Sequence, residues 1–409
     1  MSLLDKASLI VTPNGYKASK LYSIVPSNGA GDMDVTRATT ATKVSANGLI
    51  ESVAINVPRI DYLNSTCPSI LVEPQRTNLQ TYSEDFSNAV WIKVNSTINS
   101  NALIAPDGNT TGDKLIEDTN TGRHSAAIVV IPSTNGDYSF SVFVKAGERT
   151  KLQIDEAFSV GGSVNFDLTT GTATTTAPAR NGKIENYGNG WFKCSGTWTF
   201  LGGATTVLYI NLLDNSNSNF YTGNGTSGIF LWGAQLEAGN FATSYIPTTT
   251  AAVTRNADTI LKTGITSLIG QTEGTMFIDT NIDNISSQTN EPVLFYTRGT
   301  SFAFIEITST GIVYAAFNDG STFTGLITAV VGLQNGRHKF AFAYKNNDFI
   351  LYLDGNQIGT DTSGLVSGTL TSFGFQYDVS QYIGKQNINV SGLWKTRLTN
   401  SELEQLTTI

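Results

Sequence analysis

The sequence predicts an all-β chain: a short N-terminal segment followed by two tandem β-sandwich (jelly-roll) domains. Three observations predict it. Only 14% of the 409 residues are charged, while Gly occurs 39 times among abundant Ser, Thr and Asn. That composition suits short strands joined by polar turns, and it disfavours long helices and coiled coils. Short apolar or alternating runs recur down the chain, nearly all closed by Gly, Asn or Pro. The length also exceeds that of one ordinary domain.

Residues 1–75 form the first segment. Ser8–Thr12 is a short apolar run, and Pro13-Asn14-Gly15 reads as the turn that ends it. Lys20–Val25, a Thr-rich stretch over Val35–Val44 and a strand-like Leu49–Val57 follow. This segment has too little apolar content for a core of its own, so it must borrow a surface. It reads as an attachment or oligomerisation segment, with packing on its own chain as the competing reading. Leu71–Lys93 is a joint: Pro74 stops one extended run, and Ser83-Glu84-Asp85 offers a turn or short helix before Trp91.

Residues 76–247 predict the first sandwich. Tyr138–Ala146 alternates, with Phe140, Val142 and Val144 on one face. Lys151–Glu156, Gly162–Asp167, Gly171–Thr176, Lys183–Tyr187, Trp191–Phe200, Thr206–Leu213 and Gly228–Glu237 continue the series. Thr248–Thr254 reads as a linker. Residues 255–409 predict the second sandwich, from Thr275–Thr280 through Val293–Tyr296 and Arg337–Tyr344 to Gln381–Ile383. Asp354-Gly355-Asn356 marks a tight hairpin. Ser401–Leu406 reads as a short helix; Ser401 with Glu404 fits a capping box, and Thr399 is a rival cap.

Several function classes are disfavoured. The net charge is −8 without basic runs, a poor basis for binding nucleic acid or an anionic membrane. No window approaches the roughly 18 apolar residues of a membrane span, and no signal peptide is read at the N-terminus. The two cysteines, Cys67 and Cys194, lie far apart and read as buried free thiols, compatible with folding in a reducing cytoplasm. The two histidines, His124 and His338, fall in different domains, so no His/Cys metal cluster is expected. No nucleophile elbow or phosphate-cradling loop appears. No cofactor is expected, apart from a calcium ion that Asp107, Asn109 and Asp113 have the oxygen ligands to hold. A plain turn is the commoner reading of those residues.

Trp191, Trp198 and Trp232 sit in strand contexts and read as core. Tyr187, Phe220 and Tyr221, beside or within Gly- and Asn-rich loops, are the better candidates for aromatic side chains that stack on a sugar.

Three resemblances attach to particular residues. His338–Gly359 and Tyr382–Leu406 resemble the laminin G-like or concanavalin A-like superfamily in their order of strand, Asp-Gly hairpin, glycine-bearing strand and terminal turn. The glycosidases of that superfamily carry a Glu-x-Asp-x-x-Glu strand. It is absent here: Asp279 and Asp283 are four apart, and Glu291 and Glu306 stand alone. The expectation is therefore no enzyme. Ser139–Ile154, Asn189–Phe200 and Ile229–Gly239 resemble carbohydrate-binding jelly rolls. Arg37–Asn64, Ser69–Lys93, Ala105–Ser125 and Gln235–Asp258, in that order, resemble head-spike, fibre and some tail proteins of tailed bacteriophages. That last resemblance implies a protein of the virion surface, assembled in the bacterial cytoplasm. It further implies attachment to other capsid or tail proteins through the N-terminal segment, a homotrimer, and host or environmental glycans as partners.

Overall fold

A computed structural model describes residues 2–157, 160–283, 285, 293–375 and 384–409. The expected strand at Gln381–Ile383 and the carboxylate Glu291 lie outside these residues. The described chain is almost wholly β, and it divides into two compact units. One comprises Met1–Lys43, Val53–Gln75 and Asn256–Ile409; the other comprises Val44–Ser52 and Arg76–Arg255.

In the first unit, 16 strands share one hydrogen-bonded sheet among the described residues. The N-terminal residues are part of it. Leu9–Lys17 pairs with Gln386–Trp394, bringing Leu9 opposite Leu393 and Val11 opposite Ser391. Met33–Thr36 pairs with Thr259–Thr263, and Ser69–Val72 pairs with Gln386–Trp394. The sheet bends round until its end strands, Phe323–Val330 and Asn356–Asp361, meet: the Leu326 amide donates to Asp361 Oδ2 at 3.1 Å. Leu9, Val11, Leu21, Met33, Ile60 and Ile70 pack in one core with Ile278, Phe295, Phe317, Phe342 and Phe373. The segment 1–75 therefore does not stand apart. Its strands carry alternate apolar residues that are buried only by pairing with strands hundreds of residues away.

Pro13-Asn14-Gly15 does not end a strand. Leu9–Lys17 runs through it, and the pairing with Lys20–Val25 skips from Val11 to Tyr16, so the three residues occupy an irregularity in the ladder. Asp354 and Gly355 turn the expected hairpin with φ of 49° and 80°, the geometry of a tight primed turn. The terminal helix spans Asn400–Thr407, and its cap is Thr399, not Ser401. Thr399 Oγ1 accepts from the Glu402 amide at 3.3 Å, while Glu402 Oε2 accepts from the Thr399 amide at 2.8 Å. Cys67 is exposed, against expectation; Cys194 is buried, and both are free.

Glu402 is also bonded to Lys6, and these bonds, with the cap, hold its carboxyl down at about 2 against an ordinary 4.5. A depressed folded-state pKa contributes stability that is present above the unfolded value and lost as the folded group protonates. The terminal helix should therefore keep its amide protection at neutral pH and lose it between pH 4.5 and about 2. Hydrogen exchange of residues 400–407 across that range tests this, and Glu402→Gln should flatten the dependence.

The second unit is a two-sheet sandwich. One sheet runs Ser96–Leu103, Gly112–Glu117, Gly228–Ala238, Gly136–Ala146, Trp191–Phe200, Arg180–Asn186. The other runs Thr172–Thr176, Ser163–Asp167, Lys151–Glu156, Thr206–Leu212, Ser125–Val130, Ile92–Val94. Phe140, Val142, Val144, Cys194 and Trp198 of the first face Leu152, Ile154, Phe166, Leu208 and Ile210 of the second. Thr248–Thr254, expected to be a linker, belongs to this unit: Val253–Arg255 pairs with Arg76–Asn78, and Thr248 is buried against Gln80 and Ser83. No helix forms over Ser83–Asp85, because the Asp85 carboxylate turns the chain by accepting the Ser87 and Asn88 amides.

Candidate functional site

The two sheets of the second unit differ on their outer faces, and that difference locates the site. The outer face of the first sheet is covered. Asn78 Nδ2 donates to the carbonyls of Ala234 and Ile246 at 3.2 and 2.8 Å, and the Leu236 amide donates back to Asn78 Oδ1. Tyr245 packs on Trp232 and Phe143, and its hydroxyl meets Ser83 Oγ at 2.7 Å. As a result Ser139, Ser141, Phe143, Lys193, Thr197 and Glu237 are buried although they point away from the sandwich core. Strands hidden on both sides lose their alternation of exposure.

The outer face of the second sheet is open over Lys151–Glu156, Ser163–Asp167 and Thr172–Thr176, whereas Asn211, Ser125 and Ala127 on the next strands are buried. Along Lys151–Glu156 the pattern is half-buried, buried, half-buried throughout: Leu152, Ile154 and Glu156 point in, and Lys151, Gln153 and Asp155 point out. Ser163, Asn165 and Asp167 alternate likewise, and Thr172, Thr174 and Thr176 project from the neighbouring strand. Cross-strand register sets Gln153 between Asn165 and Asn211, and Asp155 beside Tyr209.

These side chains form one connected polar surface. Gln153 Nε2 donates to Asn165 Oδ1 at 2.9 Å, and Gln153 Oε1 accepts from Asn219 Nδ2 at 2.8 Å. Asn211 Nδ2 donates to Asp155 Oδ1 at 2.7 Å, and Arg123 reaches both Asp155 oxygens at 3.0 Å. The Arg123 guanidinium also lies 4.4 Å from the centre of the Tyr209 ring. Burial pushes the Asp155 carboxyl above its ordinary value, and the Arg123 charge pulls part of that shift back. Asn211 itself is fully buried and braces Asp155 from beneath the surface.

A rigid loop borders the face. Asp214 accepts from the Ser216 amide and hydroxyl and from the Ser218 amide, which holds its carboxyl below the usual range. Lys151 Nζ donates to Asn217 Oδ1 at 2.9 Å, joining that loop to the face. The loop delivers Phe220 with 67% of its surface exposed. Planar amides and carboxylates on a fixed sheet, beside an aromatic side chain, can bond paired hydroxyl groups and cover an apolar ring face.

Of the aromatic residues singled out from sequence, Phe220 alone is free to meet a ligand. Tyr187 is buried, with its ring edge-on to Phe143 at 4.8 Å. The glycine turn after it exposes backbone, not the ring. Tyr221 is fixed in place: its hydroxyl donates to Glu117 Oε2 at 2.8 Å, Arg149 lies over its ring at 4.9 Å, and His124 packs 4.7 Å away. Burial and the bond to Glu117 raise the Tyr221 hydroxyl above its ordinary pKa. Trp191, Trp198 and Trp232 are core, as read.

The proposed calcium ligands do not assemble. Asp107 accepts the Asn109 amide and side-chain amide within one turn, at 3.0 and 2.7 Å. Asp113 is buried, and its carboxylate accepts the Phe86 and Asn101 amides at 2.9 and 2.8 Å. It braces two backbone segments, a role that sequence spacing does not distinguish from cation binding. Among the described residues no cluster of three His, Cys, Asp or Glu side chains is arranged for a metal.

Sequence reasoning missed Arg123, Gln153, Asp155, Asn165, Tyr209 and Asn211. The signal was the polar half of each alternating strand, which reads as an ordinary solvated face until the register joins three strands into one surface.

No protein-family model matches the chain, and no curated protein matches it. Solved structures do. The CBM40 domain of the Ruminococcus gnavus IT-sialidase, bound to alpha2,3 sialyllactose, is similar at 16% identity over 34% of this chain and 84% of that one, with a TM-score of 0.30. Domains LG4-5 of the mouse laminin alpha1 chain are similar at 12% identity over 67% of this chain and 86% of that one, with a TM-score of 0.24. The CBM22-1–CBM22-2 tandem of Paenibacillus barcinonensis Xyn10C is similar at 9% identity over 77% of this chain and 97% of that one, with a TM-score of 0.26. At such TM-scores the likeness assigns no ligand and no reaction to this chain.

Proposed function

We propose that this protein is a surface protein of a tailed-bacteriophage virion, a head-attached fibre or spike, whose second unit binds host or environmental glycans weakly. The observation that carries the glycan half is the open sheet face, where Gln153, Asp155 and Asn165 are fixed, Asp155 braced by the buried Asn211, beside Tyr209 and Phe220. The virion half rests on the order of the four sequence stretches between Arg37 and Asp258. Anchoring to capsid or tail proteins then falls to the unit that contains residues 1–43, since those residues are strands of its sheet. A homotrimer, and many copies per particle, would convert weak single sites into useful avidity.

Two measurements test the two halves. Glycan-array binding by the full chain should be lost in Phe220→Ala while its thermal midpoint stays within about 2 °C, because an exposed ring contributes little to folding. Equal binding by variant and parent would remove Phe220 from the site. Immunogold labelling of intact particles with an antibody to residues 255–409 should decorate the head. Label at the tail tip would make the protein a tail receptor-binding protein instead, and label on no part of the particle would end the virion reading.

A further inference from the structure

We infer that the open face of the second unit selects neutral glycans and rejects acidic ones. This rests on the glycan reading above and adds the class of sugar. The selectivity follows from how the charges on the face are spent.

The face carries two cations and two carboxylates: Lys151, Arg123, Asp155 and Asp167. Each cation already has a carboxylate. Arg123 Nη1 donates to both oxygens of Asp155 at 3.0 Å, so its charge is already set against a carboxylate, and a uronate or sialate carboxylate would have to share it. Its flat side lies on Tyr209. Lys151 donates to Asn217 and stands 3.9 Å from Asp167. The sum over the face is zero, so a bound anion gains no net Coulomb attraction there. It would instead come close to Asp155 and Asp167. Beyond those four groups, the polar side chains are uncharged: Gln153, Asn165, Asn211, Asn219 and the row of threonines. Amides both donate and accept, which matches the two-way hydrogen bonding of neighbouring sugar hydroxyls. The chain as a whole carries −8, so its long-range field also disfavours anionic ligands.

Two pairs of ligands, matched in size and differing in a C6 carboxylate on each residue, test the inference on the full chain by calorimetry: mannohexaose against hexamannuronate, and galactohexaose against hexagalacturonate. In every pair that binds, the neutral member should bind about tenfold tighter or more, since the acidic member must desolvate its carboxylates beside Asp155 and Asp167 with no free cation to receive them. Its affinity should be nearly unchanged between low and high salt. Asp155→Asn, which leaves the Arg123 charge without its carboxylate, should raise the affinity of the acidic member. Arg123→Gln, which leaves Asp155 without its cation, should weaken the acidic member further. Tighter binding of the acidic members by the parent protein would overturn the selectivity while leaving a glycan-binding face. No binding of any member, with the fold intact, would overturn the glycan reading and this inference with it.

Discussion

Asp258→Ala should be the most damaging single substitution in the unit that contains it, lowering its unfolding free energy by about 3–5 kcal/mol. Asp258 is the centre of a buried ionic cluster. It accepts from Arg37 NH1 at 2.9 Å, from Arg59 through two nitrogens, and from the Glu73 amide at 3.1 Å. Arg59 also reaches Glu73 at 2.7 Å, and the side chains of both arginines are fully buried. Burial alone would lower the Arg59 pKa; the charges of Asp258 and Glu73 overcome that and raise it. Removing Asp258 leaves Glu73 as the one carboxylate of this cluster facing two buried guanidinium groups. The remaining bonds from Arg37, to the carbonyls of Thr39, Val57 and Ala54, do not neutralise its charge. Asp258→Asn should cost less, because it keeps an acceptor oxygen. Urea titration monitored at both substitutions checks the order, and an Asp258→Ala protein within 1 kcal/mol of the parent would contradict it.

Tyr209→Ala should abolish measurable glycan binding, a loss of about 2 kcal/mol or more, equal to roughly thirtyfold in affinity. Two effects add. The ring is the aromatic surface at the middle of the open face, and it is also the surface on which the Arg123 guanidinium rests. Without it Arg123 keeps only its Asp155 bonds, and the Asp155–Asn211–Gln153 chain loses its fixed edge. Tyr209→Phe separates the contributions, because it keeps the ring and removes the hydroxyl. Titration of the best array ligand should find Tyr209→Phe near the parent and Tyr209→Ala at the detection limit. Equal losses in the two variants would move the contact from the ring to the hydroxyl.

Much of the fold was legible because its signals are local. The alternation of Tyr138–Ala146, the Asp354-Gly355 turn and the apolar contexts of three tryptophans each depend on a few neighbouring residues. The membership of residues 1–43 in the C-terminal sheet was not legible, because Leu9–Val11 find their partners at Ser391–Leu393. No property of either stretch alone names the other. The cap at Thr399 was misordered for a smaller reason: two Ser/Thr residues both stand three positions before a glutamate, and the chain uses the one that also brings Glu402 to Lys6. The site was the hardest part. Its members come from three strands and two loops, and each is an ordinary surface residue until Gln153 is placed between Asn165 and Asn211. Tyr187 failed for a related reason, since a ring before a glycine turn can point to either side of the sheet and here points to Phe143.

The pairing of Arg76–Asn78 with Val253–Arg255 bears on how such a protein changes over generations. The polypeptide enters and leaves residues 76–255 on adjacent antiparallel strands, and Gln75 and Asn256, just outside them, are themselves hydrogen-bonded at 3.1 Å. A DNA segment encoding 76–255 can therefore be traded by recombination for an insert whose two ends lie about one strand spacing apart, roughly 5 Å, provided that it also accommodates Val44–Ser52, which belongs to the same unit. The recipient sheet keeps every strand it had. Selection on what is bound can then act on a cassette while the unit that receives it drifts slowly, and lineages sharing one should differ abruptly, rather than gradually, in the other.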